Sequence, residues 1–165
     1  MFAHCDLLCA NVIIHRKEGE ATTVSFIDYE YGTPSPAAFD VANHFAEWVG
    51  YECDYSAVPT VAQRHAFIRE YIKTTVELSG DAHLDIDEET RKLMDEVDAF
   101  RGLPGFYWGI WAAIQATISD IDFDYASYSE LRLGEYWAYK AEQDGSRVAE
   151  GREMPLRERT WARSE

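Results

Sequence analysis

The chain has 165 residues, with 30 Asp or Glu against 15 Lys or Arg, so its formal net charge is −15. This charge would repel a polyanion, which disfavours a nucleic-acid-binding module or a protein that binds anionic membranes. Hydrophobic residues make up 47% of the chain, enough for the core of one globular domain. No segment has the roughly 20 apolar residues that a bilayer requires, and three cysteines are too few for a disulfide framework. We therefore expect one cytoplasmic domain without stable membrane insertion.

The first predicted elements are two β-strands near the N-terminus. Residues 12–16 and 22–27 are rich in β-branched side chains, and Gly19 lies in the segment between them. This pattern is typical of a β-hairpin. Because the turn lies near Gly19, residues 11 and 28 should meet at the open end of the hairpin.

Helical periodicity replaces strand periodicity after the hairpin. Asp40 is the predicted N-cap of the first helix, and Thr60 with Gln63 forms the capping-box pattern of a second. Gly80 fits the end of that second helix. Residues 87–100 form a third helix with one apolar and one acidic face.

Two further helices are predicted before the C-terminus. Residues 106–121 form the most apolar one, which we expect at the centre of the core. Ser127 begins a second capping-box pattern, and Gly145 should end the helix that follows. Three side chains of that helix are predicted to be buried: Leu133, Tyr136 and Trp137. Residues 146–165 carry few large apolar side chains, so we expect a loosely ordered tail.

The clearest chemical motif lies at the N-terminus. Residues 4–11 read His-Cys-Asp-Leu-Leu-Cys-Ala-Asn, which fits H-x-D-x4-N, and the hairpin leads on to Asp28. In kinases, such an Asp accepts the proton of the substrate hydroxyl, and the Asn and a later Asp bind Mg²⁺. Each residue alone is more often structural, as a hydrogen-bonded histidine, a cap or a turn former, but their order predicts phosphoryl transfer. Asn11 and Asp28 are hard oxygen ligands that could share one Mg²⁺.

Several segments resemble the choline/ethanolamine kinase family. Residues 26–31 (Phe-Ile-Asp-Tyr-Glu-Tyr) and 38–48 carry the resemblance, and residues 4–11 are most similar to the ethanolamine kinase branch. Residues 106–116, with their Trp-Gly-Ile-Trp core, extend it, so that it covers roughly residues 2–140. The resemblance implies an α+β, mainly α-helical fold: a protein-kinase-like C-terminal lobe with a small N-terminal β-hairpin. It also implies ATP-dependent phosphorylation of an amino-alcohol hydroxyl.

The resemblance also implies roles for individual residues. Asp6 would be the catalytic base that orients and deprotonates the hydroxyl, while Asn11 and Asp28 would ligate Mg²⁺. Glu30 belongs to the same acidic motif and would support the metal site, although an exposed strand-end carboxylate explains it nearly as well. Two residues would act structurally, as braces of the catalytic loop: His4 and Asp40.

A second group of residues would bind the substrate. By resemblance, Glu47 faces the cationic head group, and Trp108, Trp111 and Tyr128 line an aromatic pocket. Trp108 and Trp111 are three residues apart, so one helix presents both indoles on one side. Aromatic faces favour methylated choline, whereas the primary ammonium of ethanolamine can also donate hydrogen bonds to a carboxylate. The residues leave the choice between the two substrates open.

No glycine-rich phosphate loop and no strand lysine precede His4, although kinases use both to hold ATP. We therefore expect that the N-terminal nucleotide-binding lobe is absent and that residues 1–145 form the C-terminal lobe. Within it, residues 2–31 form the catalytic loop and hairpin, and residues 38–145 the helical substrate-binding part. We expect negligible turnover from this chain by itself. The uncovered face predicts a separate N-terminal lobe or a homodimer as partner.

Two other functions stay open at this point. A non-catalytic remnant could bind an amino alcohol or another kinase chain, although intact Asp6, Asn11 and Asp28 argue against decay. A phosphotransferase for another hydroxylated amine, such as an aminoglycoside, would share the H-x-D-x4-N pattern but not the Trp-Gly-Ile-Trp segment.

Overall fold

The computed structural model describes residues 1–19, 21–80 and 83–165. Helices make up most of the described chain, and the strands are short and pair in two small sheets. The helices are α1 (Ala37–Ala46), α2 (Val61–Ser79), α3 (Ile86–Phe100), α4 (Leu103–Ile118), α5 (Tyr125–Gln143), α6 (Ser146–Ala149) and α7 (Leu156–Trp161). The strands are β1 (Phe2–Ala3), β2 (Val12–His15), β3 (Thr23–Phe26) and β4 (Thr33–Pro34). The expected α+β, mainly α-helical fold class is confirmed.

Strands β2 and β3 form the predicted antiparallel hairpin, in which Val12 lies opposite Phe26. Beyond the last pair, the N–H of Ile27 donates to the carbonyl of Asn11 at 3.1 Å. The backbone at residue 11 therefore lies beside the end of β3, and the predicted meeting of residues 11 and 28 is confirmed.

A second sheet, which the sequence pattern did not predict, pairs β1 with β4. Phe2 lies opposite Pro34, and the nearby Gly32 approaches the Phe2 ring closely. A side-chain carbon at Gly32 would lie 2.7 Å from Phe2 Cζ, so a larger residue there would force a shift. This sheet fixes the chain on both sides of the catalytic loop and hairpin.

Helix α1 lies at the centre of the hydrophobic core and packs against α3 and α4, while α2 packs against α3. Phe45 of α1, Ile68 of α2 and Val97 of α3 are fully or almost fully buried in one cluster. Burial of large apolar side chains is the main stabilising contribution to such a core. The site described below is built on the ends and faces of these helices.

The capping box predicted for α2 is present. The Thr60 hydroxyl accepts from the N–H of Gln63 at 3.3 Å, and the Gln63 side chain accepts from the N–H of Thr60 at 2.9 Å. Gly80 ends the helix in the left-handed region, with φ of +69°, a conformation that costs glycine little. Both predictions are confirmed.

The prediction that Asp40 caps the first helix is wrong. The N-cap lies four residues earlier, at Pro36, and helix α1 begins at Ala37, because Pro36 supplies the extended backbone from which a helix can start. Asp40 lies within the first turn of α1. Its carboxylate accepts hydrogen bonds from the backbone N–H groups of His4 and Cys5 instead of capping the helix.

Helix α4 is less central than its composition suggested. Trp108 and Ala112 are buried, but the opposite face is exposed along the whole helix. That face carries four large apolar residues at intervals of four: Phe106, Ile110, Ile114 and Ile118. Even so, no helix of the described ranges is long and apolar enough to span a membrane.

The predicted start and buried face of the next helix both need correction. Helix α5 begins at Tyr125, because the Asp124 carboxylate caps it by accepting from the N–H of Ser127 at 3.0 Å. Trp137, expected in the core, is 64% exposed, and Leu133 and Tyr136 are only half-buried. The inner face is polar instead, with Arg132 and Glu135 buried. A hydrophobic pattern cannot predict a face that is buried through ion pairs.

The C-terminal residues 146–165 are not a loosely ordered tail. Helix α7 ends at Trp161, which is 4% exposed and belongs to the hydrophobic core. The indole Nε1 donates to Asp98 at 2.6 Å, and the Arg64 guanidinium lies 3.9 Å from the ring centroid. The single aromatic residue and its polar partners hold this segment against the rest of the lobe.

We predict that Trp161→Phe lowers the free energy of unfolding by about 2 kcal/mol, because it removes the hydrogen bond to a carboxylate and weakens the cation–π contact. Urea denaturation at neutral pH would measure the change. Val148→Ala, at an exposed site of the same segment, is the control and should change stability by less than about 0.5 kcal/mol. Equal, small effects of both substitutions would contradict the ordered packing of this segment.

Candidate functional site

A cavity of about 320 Å³ lies where residues 6–11, the end of the hairpin, the residues that follow α1, and helices α4 and α5 meet. All eight residues to which the sequence assigned chemistry line it: Asp6, Asn11, Asp28, Glu30, Glu47, Trp108, Trp111 and Tyr128. They come from segments up to 122 positions apart, and the fold alone brings them together. The two predicted braces, His4 and Asp40, lie behind the cavity wall rather than in it.

Side chains of helix α1 hold the loop around Asp6 by hydrogen bonds to the loop backbone. The Asp40 carboxylate accepts from the N–H of His4 at 3.1 Å and from the N–H of Cys5 at 2.8 Å. From the next turn, Asn43 donates to the Cys5 carbonyl at 3.0 Å, and His44 contacts the Leu7 carbonyl at 2.7 Å. These bonds fix the backbone on both sides of Asp6.

Sequence reasoning missed Asn43 and His44. A signal was available, because both follow Asp40 by three and four positions, the spacing that places polar residues on one face of a helix. The other side of the loop is held by His4, whose Nε2 lies 2.9 Å from the Ile27 carbonyl. His4 thereby joins the loop to the strand end that precedes Asp28.

Asp6 is a buried carboxylate that is oriented by Asn11. Only 8% of the residue is exposed, and the Asn11 amide nitrogen donates to the Asp6 carbonyl at 2.8 Å and to its carboxylate at 3.1 Å. Burial raises the pKa of Asp6 to about 6, and repulsion by Glu47 adds to the rise. The hydrogen bond from Asn11 acts in the opposite direction. Asp6 is therefore ionised at neutral pH and is more basic than an ordinary aspartate.

This raised pKa predicts a pH-dependent cost to stability in the metal-free chain. The folded state binds the Asp6 proton more tightly than the unfolded state, so stability declines as pH rises from about 4 to about 6. Asp6→Asn removes this cost and keeps an acceptor for Asn11. We expect the variant to be more stable than the parent by about 1 kcal/mol at pH 7, with the difference vanishing towards pH 4.

Urea denaturation at a series of pH values would measure that difference. Asp122→Asn, which removes the same charge from an exposed site, is the matched control. A stability gain at pH 7 that persists unchanged at pH 4 would contradict the assigned cause.

Asn11 and Asp28 are suited to hold Mg²⁺. Because Asn11 uses its amide nitrogen on Asp6, its amide oxygen is available as a ligand, and the Asp28 carboxylate lines the same cavity. Within the described residues, no cluster of three or more His, Cys, Asp or Glu could hold a metal by itself. Mg²⁺ does not need one, since it is usually bound by one or two carboxylates together with phosphate oxygens and water. The residues therefore fit a metal held jointly with a nucleotide.

Hydrogen bonds and ring contacts hold the aromatic wall of the cavity in place. The rings of Trp108 and Trp111 are 5.6 Å apart and nearly perpendicular. The Trp108 Nε1 donates to the Asn43 side chain and the Trp111 Nε1 to the Tyr31 hydroxyl, both at 2.8 Å. Tyr128 completes the wall and is buried. With both indole N–H groups occupied, the π-faces of the rings are what remains for a ligand, and such faces attract cations.

Glu47 does not stand alone, because a buried arginine lies behind it. Arg132 Nη2 is 3.1 Å from Glu47 Oε1, and the Arg132 side chain is fully buried. Burial raises the pKa of Glu47, whereas the charge of Arg132 opposes this rise. Sequence reasoning missed Arg132, since an arginine in a helix usually lies at the surface and its contact with Glu47 joins positions 85 apart.

The cavity has a strongly negative character. Its described lining includes four carboxylates, those of Asp6, Asp28, Glu30 and Glu47, and no lysine or arginine. Carboxylates and aromatic faces together favour cations. The arrangement can therefore bind a metal ion at one end and an organic ammonium group at the other, with the basic Asp6 carboxylate in the same cavity.

Known proteins with sequences similar to this chain are named ethanolamine kinases or choline kinases. A probable ethanolamine kinase of Nematostella vectensis is 40% identical over 142 residues, which cover 85% of this chain and 40% of that protein. Probable choline kinase 2 of Arabidopsis thaliana is 32% identical over 146 residues, covering 84% of this chain and 39% of that protein.

Among solved structures, an ethanolamine kinase of Plasmodium vivax matches with a TM-score of 0.69 and 32% sequence identity. The match covers 82% of this chain and 33% of that one, so this chain spans between a third and two-fifths of the relatives described here. The family model for choline/ethanolamine kinase matches residues 1–137. With more than half of its length matched, the chain belongs to the choline/ethanolamine kinase family.

Proposed function

We propose that this chain is the catalytic and substrate-binding lobe of an ethanolamine kinase, which transfers a phosphoryl group from ATP to the hydroxyl of ethanolamine. The observation that carries the proposal is the single cavity that joins Asp6, Asn11 and Asp28 to Glu47 and the two tryptophans. A hydroxyl and an ammonium group two carbons apart would use both halves of such a cavity.

In this proposal, Asp6 accepts a hydrogen bond from the substrate hydroxyl and then its proton. Its raised pKa, about 6, brings it closer to the operating pH, where general bases work best. The Asn11 amide nitrogen keeps the carboxylate in place, and Asp40 keeps the loop in place. When bound through Asn11 and Asp28, Mg²⁺ supplies positive charge to the phosphates of ATP. Glu30 lines the same cavity and would support the metal site.

The ammonium group would lie between Glu47 and the faces of Trp108 and Trp111. A primary ammonium can donate up to three hydrogen bonds, which a carboxylate accepts, and it gains a further 0.5 to 2 kcal/mol or so from an aromatic face. Choline would use only the aromatic and Coulombic parts. The sequence named probable ethanolamine kinase of Nematostella vectensis is also more similar to this chain, at 40% identity, than the one named probable choline kinase 2 of Arabidopsis thaliana, at 32%. Both points favour ethanolamine, with choline as the second candidate.

The domain organisation belongs to the same proposal. Residues 1–145 would form the C-terminal lobe of a kinase that works in the cytoplasm, and ATP would be held jointly with an N-terminal nucleotide-binding lobe. A glycine-rich loop and a lysine usually cradle the phosphates in that lobe and supply much of the charge stabilisation. That lobe, with a second copy of the chain as the alternative, would cover the face around Asp6 and Asp28.

A phosphorylation assay tests the proposal. Residues 1–165 would be expressed behind the nucleotide-binding lobe of a full-length family kinase, and phosphoethanolamine and phosphocholine formation would be measured with Mg²⁺ and ATP. We expect kcat/KM for ethanolamine to exceed that for choline by about tenfold, and residues 1–165 alone to turn over negligibly. A reversed ratio would make the chain a choline kinase. Phosphorylation of an aminoglycoside instead of either amino alcohol would overturn the proposal.

A further inference from the structure

A row of buried side chains with alternating charge runs from the proposed substrate cavity to the C-terminal helix α7. Arg132, which pairs with Glu47, also lies beside Glu135, with Nε and Oε2 3.5 Å apart. The same Glu135 oxygen is 3.5 Å from Nε of Arg157, and Arg157 pairs with Glu158 at 3.1 Å. All five side chains are at most 8% exposed.

The far end of this row of charges is anchored at Arg101, which directly follows α3. Arg101 donates to Glu158 through Nε and Nη2 at 3.2 and 3.1 Å, and Arg157 Nη2 donates to the Arg101 carbonyl at 2.8 Å. Arg101 also pairs with Asp98, which accepts from the Trp161 indole. The C-terminal helix is thus linked through Glu135 to Arg132, the residue that lies behind Glu47.

Glu135 makes the longest ion-pair contacts in this row of charges, both at 3.5 Å. Its two carboxylate oxygens and the Nε of Arg132 make no hydrogen bond of good geometry with the residues that the structure describes. Glu135 therefore holds Arg132 by charge across 3.5 Å, while Glu47 holds it by a true hydrogen bond at 3.1 Å. One guanidinium is shared between two buried carboxylates, so the negative charges of Glu47 and Glu135 exceed the positive charge that lies between them.

We propose that Glu135 is a specificity-determining positioning residue that draws Arg132 away from Glu47 and so leaves Glu47 negative enough to bind a primary ammonium group. This inference rests on the proposed function of the cavity. Without the charge of Glu135, Arg132 neutralises Glu47 more completely, and the ammonium has to compete with a stronger intramolecular pair. Ethanolamine should be affected more than choline, because choline relies more on the indole faces and cannot donate hydrogen bonds to Glu47.

The packing of α4 against α5 gives Glu135 little freedom to compensate. A side-chain carbon at Gly105 would lie 2.6 Å from the Arg132 carbonyl and 3.0 Å from Glu135 Cβ. The two helices therefore touch at the turn that carries both charged residues, and close packing holds the Glu135 backbone in place. Glu135→Gln, which keeps the shape of the side chain, changes the charge without opening a cavity.

The test is a titration of residues 1–165 with ethanolamine and, separately, with choline, monitored by the fluorescence of the cavity tryptophans and by calorimetry. We expect Glu135→Gln to weaken ethanolamine binding about tenfold and choline binding by less than threefold. Glu130→Gln, on the exposed side of the same helix, makes the same chemical change and should leave both affinities unaltered. Equal affinities of the parent and Glu135→Gln for ethanolamine would overturn the inference, as would equal losses for both ligands.

A second measurement separates this inference from the proposed function. If the parent chain binds neither amino alcohol, the proposed substrate pocket is wrong. A double-mutant cycle then tests separately whether Glu47 and Glu135 share the Arg132 guanidinium. Glu47→Gln and Glu135→Gln would be compared singly and together by urea denaturation. Since both carboxylates share Arg132, we expect their effects on the midpoint to be non-additive. Additive effects would contradict the sharing of Arg132 and overturn the inference.

Discussion

Replacing Asp6 with alanine should lower kcat for ethanolamine phosphorylation by about 10² to 10⁴-fold, the range that general-base catalysis typically contributes. The carboxylate is buried in the cavity and oriented by Asn11, and the described cavity lining offers it no histidine or lysine as a replacement base. The assay would use residues 1–165 joined behind a family nucleotide-binding lobe. KM for ethanolamine should change far less than kcat, because in the proposed function Glu47 and the indoles, not Asp6, bind the head group.

Asp122→Ala is the matched control for this prediction, since it removes an exposed aspartate from the same chain. It should retain the parent kcat within a factor of two or so. If Asp6→Ala also retained the parent rate, the assignment of Asp6 as catalytic base would be wrong. A loss that appeared only in KM would make Asp6 a substrate-binding residue instead.

Replacing Arg132 with methionine should destabilise the fold by about 3 to 5 kcal/mol, because Glu47 and Glu135 would then be buried without their shared counter-ion. Methionine keeps much of the volume of the arginine stem, so the loss reports charge more than packing. The free energy of unfolding would be measured by urea denaturation. A domain is typically stable by only 5 to 15 kcal/mol, so this single change removes a large share.

Arg91→Met provides the control, because Arg91 pairs with Asp95 at the surface, where both side chains are more than 60% exposed. Exposed pairs contribute only about 0.3 to 0.5 kcal/mol. Similar losses for the two variants would show that the buried ion pairs do not set the stability of this lobe. A rise in stability with Arg132→Met would show that the desolvation of the guanidinium outweighs its attraction to both carboxylates.

The first residues of the candidate site could be named from the sequence because their spacing is local, and the structure places them in one cavity. Asp6 and Asn11 are five positions apart, and a predictable hairpin brings Asp28 back to them. The resemblance supplied Glu47 and the aromatic residues, which line the same cavity in the structure. Short-range spacing and a recognisable motif were therefore sufficient to name the residues of the candidate site.

The supporting residues could not be predicted in the same way, because they act across long stretches of chain. Arg132 reaches Glu47 over 85 positions, and Trp161 reaches Asp98 over 63. Helical periodicity sorts residues into apolar and polar faces and assigns the polar face to solvent. Periodicity therefore predicted that Trp137 is buried, although it is exposed, and overlooked the buried Glu135. Ion pairs inside a core are invisible to a pattern that counts only hydrophobicity.

We propose that one cavity recognises the ammonium group and activates the hydroxyl of the same small substrate. The most direct test compares ethanolamine with ethylene glycol in the phosphorylation assay, since the glycol keeps the hydroxyl and replaces the ammonium group with a neutral one. The charge of Glu47 and the faces of Trp108 and Trp111 predict a kcat/KM at least about 100-fold higher for ethanolamine. Equal values for the two compounds would contradict the account.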